Sequence, residues 1–470
     1  MNTIIDVEGL KDLALGLGVS AAGGGGSFIQ GIEIINEIIN DEFTEIELQN
    51  IQSISENDFA VVAGGIGKPD ALSKPIEFAD RMSVVLQQYE ENYTKISGFA
   101  PIEVGPINGL LPIAIAHKNP NYCVYDCDGG GRAVPSLTTL MYDELQKADP
   151  VAYAWKTVDA TPDINTYLVT SEESSFRGSE AELFFSSVMS IGAVDPSSGD
   201  KDANGAIPFA CWGFDKNNQP EIPYSTYSIR KNQGRLLRDL LNIDDISLYH
   251  TALIEMAAKA EKDDYVNLSF KSVIDEVKQI NHPRWTCGWI VFDSDIDANT
   301  QKRLYFVNEN AALVEVTNTD DVNTFNILAT GPSLIYTLIK DDEPEQIIKD
   351  TFDVSSGWFP YNTGELDTIK RLKGSEIFVG VIGSTPEEGQ SPLLMVERAD
   401  NFIDVQRSTF ETLRTYYENG IQPYLNEFPS ETQMSEVYPK PYDSMQSAKH
   451  SSKQSTKGYM FNPLIRNNWK

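Results

Sequence analysis

Cysteine and histidine are scarce in this chain, with four of each in 470 residues. So few thiols exclude a disulfide framework and fit a reducing, cytoplasmic compartment. The histidines at 117, 250, 282 and 450 form no H-x-x-x-H or H-x-H, so a histidine-built metal site has no local support. Cys123 and Cys127 lie close together but lack a second Cys/His pair at ligand spacing, and read as core thiols. No apolar window is long enough for a membrane span, and the start, M-N-T-I-I-D-V-E, lacks the basic and apolar regions of a signal peptide. Positive charge is also short: 37 basic against 69 acidic residues leave a net charge of −32. A surface that negative repels phosphate backbones and anionic lipid, which excludes nucleic acid and membrane as expected partners.

What is present is a normal globular inventory, 41% apolar and 10% aromatic, in a chain long enough for two or three domains. Residues 6–20 carry Val7, Leu10, Leu13 and Leu17 at helical spacing and predict an amphipathic helix. A second helix is expected over Phe28–Ile39, a third over 74–90, and a fourth leading to His117. Phe59–Ala63 and Tyr122–Tyr125 read as buried strands. This alternation predicts an α/β fold with a parallel-type layer over 1–150. Residues 151–284 read as a mixed helical and irregular region partly completing that domain, with helices at 229–242 and 244–261 and a solvated loop at Ser197–Asn204. After Trp285 short runs such as T-C-G-W-I-V-F and E-I-F-V-G-V-I-G predict a β-rich (α+β) domain over 285–400. A long helix (402–419) and a flexible tail from Pro429 are expected over 401–470.

Glycine marks the candidate site. Gly23–Gly26, Gly64–Gly67 and Gly129–Gly131 each follow an apolar element and are each expected to break the chain before a helix. Such breaks converge at one edge of a parallel sheet, where bare backbone suits a carboxylate, a phosphate or an oxyanion. The third break is the most informative: Asp126 and Asp128 close a strand, and Arg132 follows the glycines. Two carboxylates at i, i+2 can share a proton or an ion, and Arg132 can fork onto a ligand carboxylate or onto either aspartate. The alternative is a tight strand-to-helix turn whose acids cap a helix at about Ser136. Other fingerprints fail. Gly16-Leu17-Gly18-Val19-Ser20-Ala21 lies in a helical pattern with no strand before it, no glycine loop ends in Gly-Lys-Ser/Thr, and the Asp126 segment lacks a calcium loop's glutamate.

At these residues the chain resembles the S-methyl thiohydantoin desulfurase family, associated with hydantoinase/oxoprolinase genes. The resemblance rests on Leu13 through Gly26, Gly64 to Pro69, Glu103-Val104-Gly105-Pro106-Ile107-Asn108 and Asp126 to Ser136, with weaker likeness at Val307–Asn310 and Ala329–Leu338. Pro106, Ser136 and Ser333 depart from the pattern, which has glycine, an acid and aspartate there, marking a divergent member. The resemblance implies hydrolysis at C2 of an S-methyl thiohydantoin, with release of a thiol. It implies Asp126, Asp128 and Arg132 as catalytic residues. It implies Gly24, Gly25, Gly26, Gly65, Glu103, Asn108, Gly130, Asn308 and Glu309 as substrate-binding residues. Nothing in the spacing of these acids requires a cofactor. A divalent metal such as zinc, held by Asp126, Asp128 and Glu103, is compatible with the acids. The expected partner is a small cyclic amide or thiohydantoin, with a homo-oligomer or a hydantoinase-type subunit as a protein partner. Two rival readings are a non-catalytic subunit that kept the fold and a nucleotide-binding transferase.

Overall fold

Asp6 ends the first strand, β1 (Thr3–Asp6), and starts the first helix, α1 (Val7–Ser20), because its carboxylate accepts from Gly9 N at 2.7 Å. The structure, a computed structural model, describes residues 2–69, 75–145, 150–156, 164–169, 206–220, 225–258, 265–282, 285–293, 299–319, 322–331, 333–384 and 399–416, with short pieces at 181–185 and 427–430 and a few single positions. The expected loop at Ser197–Asn204 and nearly all of the expected tail lie outside the described residues.

After α1 come α2 (Phe28–Asn40), β2 (Glu45–Leu48), β3 (Ala60–Gly67), α3 (Pro75–Asn92), β4 (Gly98–Pro101), α4 (Leu111–Lys118) and β5 (Cys123–Val124). The strands β6 (Val151–Lys156), β7 (Ile164–Val169) and β8 (Ala206–Phe214) precede α5 (Thr226–Leu240) and α6 (Ser247–Ala258). The remainder is mostly β-sheet: β9 (Tyr265–Asn281), β10 (Thr286–Phe292), β11 (Thr300–Val307), β12 (Glu309–Thr319), β13 (Val322–Thr330), β14 (Leu334–Asp341), β15 (Gly357–Phe359) and β16 (Glu376–Ser384). Among these lie α7 (Gln346–Phe352) and α8 (Leu366–Arg371), and α9 (Ala399–Thr415) follows them.

The α/β plus β-rich class holds. One sheet has the order β5-β4-β3-β8-β6-β7, parallel across β3, β4 and β5 and antiparallel beyond. The other is an eight-stranded antiparallel sheet, β13-β12-β11-β10-β9-β16-β14-β15. Between them runs α1, which is not the one-faced helix its spacing predicts. Leu10, Leu13 and Leu17 enter the core of the first layer, whereas Leu15 and Val19 enter the core shared with the second sheet. It is a buried spine with apolar residues on both sides.

Three further expectations change. The Gly64–Gly67 break is a continuation of β3: Gly64 and Gly65 pair with Phe209 and Pro208 of β8. Their missing side chains make room for Ile102 and Phe78 rather than for a turn. No α-helix starts at Ser136; only the 3-10 turns Leu137–Thr139 and Met141–Leu145 follow. The second sheet begins 20 residues before Trp285, at Tyr265, because β9 pairs with both β10 and β16. The four cysteines are free.

Candidate functional site

The three glycine segments do meet, and they meet on the stretch after β4. A Cβ on Gly25 would strike Gly105, one on Gly64 would strike Ile102, and one on Gly129 would strike the Ile102 carbonyl. Gly25, at φ +66, also accepts from Ile107 N at 3.1 Å through its carbonyl. Asn108 ties in the second segment: its Oδ1 accepts from Gly65 N at 2.8 Å and its Nδ2 donates to Gly65 O at 3.3 Å. The stretch 102–108 is therefore held on three sides by backbone that carries no side chain.

Two adjoining cavities open there, of about 90 and 70 Å³. Gly65, Ile66, Gly67 and Glu103 line both. The larger adds Ser136, Glu182, Trp285 and Asn308; the smaller adds Gly25, Gly26, Lys68, Phe78 and Asn108. Glu103 stands at their junction. Its Oε1 accepts from Asn108 Nδ2 at 3.0 Å and its Oε2 from Val134 N at 2.8 Å. Burial raises its pKa to about 7, against the lowering effect of those two hydrogen bonds. A carboxyl group half-titrated near neutrality, facing a cleft, can serve as acid or base.

Asp126, Asp128 and Arg132 stand behind this cleft and line neither cavity. Asp126 accepts from Thr3 Oγ1 at 2.7 Å, Ser228 Oγ at 2.6 Å and Tyr227 N at 2.8 Å, so it caps α5 from a distant strand end. Asp128 is fully buried; its Oδ1 takes the N–H groups of Gly130 and Gly131, which removes both from ligand binding, and it faces Arg230. Arg132, also fully buried, donates to the carbonyls of Ala133, Ser333 and Asn310 and pairs with Glu309 across 3.4 Å. It thereby locks the first domain's loop to the second sheet. Asp126 serves as a cap, as the turn reading expects, but the helix capped is α5, 101 residues away in sequence at Tyr227, while Asp128 holds its own glycine turn. Asp126, Asp128 and Glu103, the acids considered for a divalent ion, line no common cavity. Among the described residues no group of three or more His, Cys, Asp or Glu is placed to hold a metal ion.

Of the expected binding residues, Gly25, Gly26, Gly65, Glu103, Asn108 and Asn308 reach the cleft. Gly24 is packed against Ala133 and Glu309, and the Gly130 N–H is spent on Asp128. Asn308 turns the tight β11–β12 hairpin at φ +59, and its Oδ1 accepts from Thr286 N at 2.9 Å. Glu309 lines neither cavity but a third, smaller one of about 20 Å³ beside Asn308; it is buried with Arg132, and burial lifts it to about 8. Glu182 has no sequence signal. It arrives from the helical piece at 181–185, and its Oε2 accepts from Leu137 N at 2.8 Å and Ser136 Oγ at 3.2 Å.

These burials make a pH prediction. Burial raises Asp12 to about 6, Glu103 and Glu365 to about 7, and Glu309 to about 8. The folded chain then binds protons that the unfolded chain releases, so the associated stability is complete below the unfolded values and is lost as pH rises through the folded ones. Melting temperature should fall between about pH 5 and pH 8, and Glu309→Gln should flatten the upper part of that fall. A second prediction follows from Asp126: Asp126→Ala removes the buried acceptor shared by Thr3, Ser228 and Tyr227 N, leaving Tyr227 N without a partner and the two hydroxyls with only each other. It should cost about 3 kcal/mol in denaturant unfolding.

Residues 8–157 match a family described as S-Me-THD-like, N-terminal domain. A crystal structure of a structural-genomics protein from Chromobacterium violaceum superposes with a TM-score of 0.58 at 16% identity, covering 90% of this chain and 99% of that one. That likeness speaks for the fold alone. No curated protein matches.

Proposed function

We propose, from the premise that residues 8–157 belong to the S-Me-THD-like N-terminal domain family, that the Glu103 cleft hydrolyses a hydantoin-type ring at C2. The preferred substrate is an S-methyl thiohydantoin, which leaves as a hydantoin plus a thiol. The observation that carries this reading is Glu103 itself: an acid with a near-neutral pKa at the junction of two cavities, fixed by Asn108 and Val134 N.

Supporting features surround it. Phe78 and the bare β3 backbone at Gly65 and Gly67 offer a flat apolar wall to a planar ring. Gly25 and Gly26 face the same space from the loop before α2, where backbone dipoles can meet charge developing on the ring. Lys68 stands at the rim, with Nζ donating to His282 O at 3.2 Å. Asp126, Asp128 and Arg132 enter this reading as the scaffold that holds Val134 and Glu309 in place.

Thiol release from an S-methyl thiohydantoin, followed with a chromogenic thiol reagent, tests it. The wild-type chain should release one thiol per ring and leave a hydantoin detectable by mass. Absence of thiol from S-methyl thiohydantoins of varied side chain, with the chain shown to be folded, overturns the reading.

A further inference from the structure

The stretch 134–137 pins two carboxylates on the wall of one cavity. Val134 N donates to Glu103 Oε2 at 2.8 Å, and Leu137 N donates to Glu182 Oε2 at 2.8 Å. Both side chains line the larger cavity, Glu103 from the end of β4 and Glu182 from the helical piece at 181–185. Their settings differ. Glu103 has both oxygens engaged, one by an amide and one by a backbone N–H, and is driven towards its neutral form by burial. Glu182 is partly exposed, and its Oε2 accepts from a backbone N–H and from the Ser136 hydroxyl. Two carboxyl groups in unlike environments on one cleft divide into an acid and a base.

We propose that Glu182 is a second catalytic residue of the cleft, the base that activates the attacking water, with Glu103 as its acid partner. The inference rests on the hydrolytic reading above. In the addition step Glu182 takes a proton from water as the C2–O bond forms. The electron pair of the C2=N bond moves to the ring nitrogen, which takes the proton of Glu103. In the elimination step the new hydroxyl returns a proton to Glu103 as the carbonyl forms, the C2–S bond breaks, and Glu182 gives its proton to the departing thiolate. Water supplies both protons of the products, and both carboxyl groups end as they began.

The test compares wild type, Glu182→Gln and Glu182→Ala on an S-methyl thiohydantoin. Glu182→Gln keeps an acceptor for Leu137 N and Ser136, and should fold as wild type while losing about 10²–10⁴-fold in kcat with KM little changed. Glu182→Ala should lose as much and regain turnover in proportion to added formate, an exogenous base. Wild-type-like turnover by Glu182→Gln, or a loss in Glu182→Ala that formate leaves untouched, overturns the assignment while the hydrolytic reading stands. Failure of the wild-type chain to release thiol overturns both.

Discussion

Glu103→Gln should abolish turnover while leaving the fold intact. The glutamine carbonyl still accepts from Val134 N, in a site where the carboxyl group accepts at 2.8 Å. The amide NH2 that replaces the other oxygen cannot accept from Asn108 Nδ2, so that hydrogen bond is lost along with the exchangeable proton. General acid–base catalysis is worth about 10²–10⁴-fold, and kcat should fall by that factor with little change in KM. The wild-type pH–rate profile should carry an inflection near 7, where burial places Glu103, and the residual activity of the variant should lack it. Glu103→Asp, shorter by one methylene, should retain the inflection at a lower rate. Stopped assays across pH 5 to 9, paired with melting curves, would check all three. An inflection that survives in Glu103→Gln would assign it to another group.

The second large effect is on folding. Where α1 crosses α5, Gly16 and Gly234 let the two backbones touch: a Cβ on Gly16 would overlap the Arg230 carbonyl, and one on Gly234 the Asp12 carbonyl. Both obstacles are main-chain atoms that cannot rotate aside. Gly234→Ala must therefore push the helices apart, which disturbs the α1 spine and the Ser20–Gln233 hydrogen bond of 3.0 Å beside it. The cost should reach about 3 kcal/mol or more, read as a lowered denaturant midpoint or loss of soluble chain. The same alanine on the exposed face of α5, at Arg235, should be neutral within about 0.5 kcal/mol. This explains why Gly16-Leu17-Gly18 resembles a dinucleotide fingerprint without being one: Gly16 serves helix contact and Gly18 makes room for Pro360 and Phe28.

How much of this was legible depends on sequence distance. The helices at 7–20 and 28–40 show plainly in local spacing, as do β10 and β16, because period and burial are local signals. The three glycine segments correctly point to one place. What each does there depends on partners that the sequence separates widely. Asp126 looks catalytic beside Gly129–Gly131, but its carboxylate is claimed by Thr3 and Ser228, 123 and 102 residues away. Gly64–Gly67 reads as a turn, since nothing local reveals that β8 will pair with it. Glu103 is visible as an acid before a glycine-proline turn, and only its burial among 102–108 turns it into the central group. Glu182 has no local mark at all, and its cleft position comes from a contact spanning 45 residues to Leu137.

The departure at Ser136 also gains a physical account. The small hydroxyl leaves room for the Glu182 carboxylate, which it meets at 3.2 Å, so an acid still stands at this point of the cleft. The buried Arg132–Glu309 pair has a different task. It couples the loop that carries Val134 to the β11–β12 hairpin.

The central claim is that the ring binds at Glu103, in front of the aspartates rather than on them. A crystal structure of the Glu103→Gln variant soaked with an S-methyl thiohydantoin tests it most directly. The account predicts the ring against Gly65 and Phe78, with C2 between residue 103 and Glu182. A ring seated instead on Asp126 or Asp128, or on a surface away from both cavities, would contradict it.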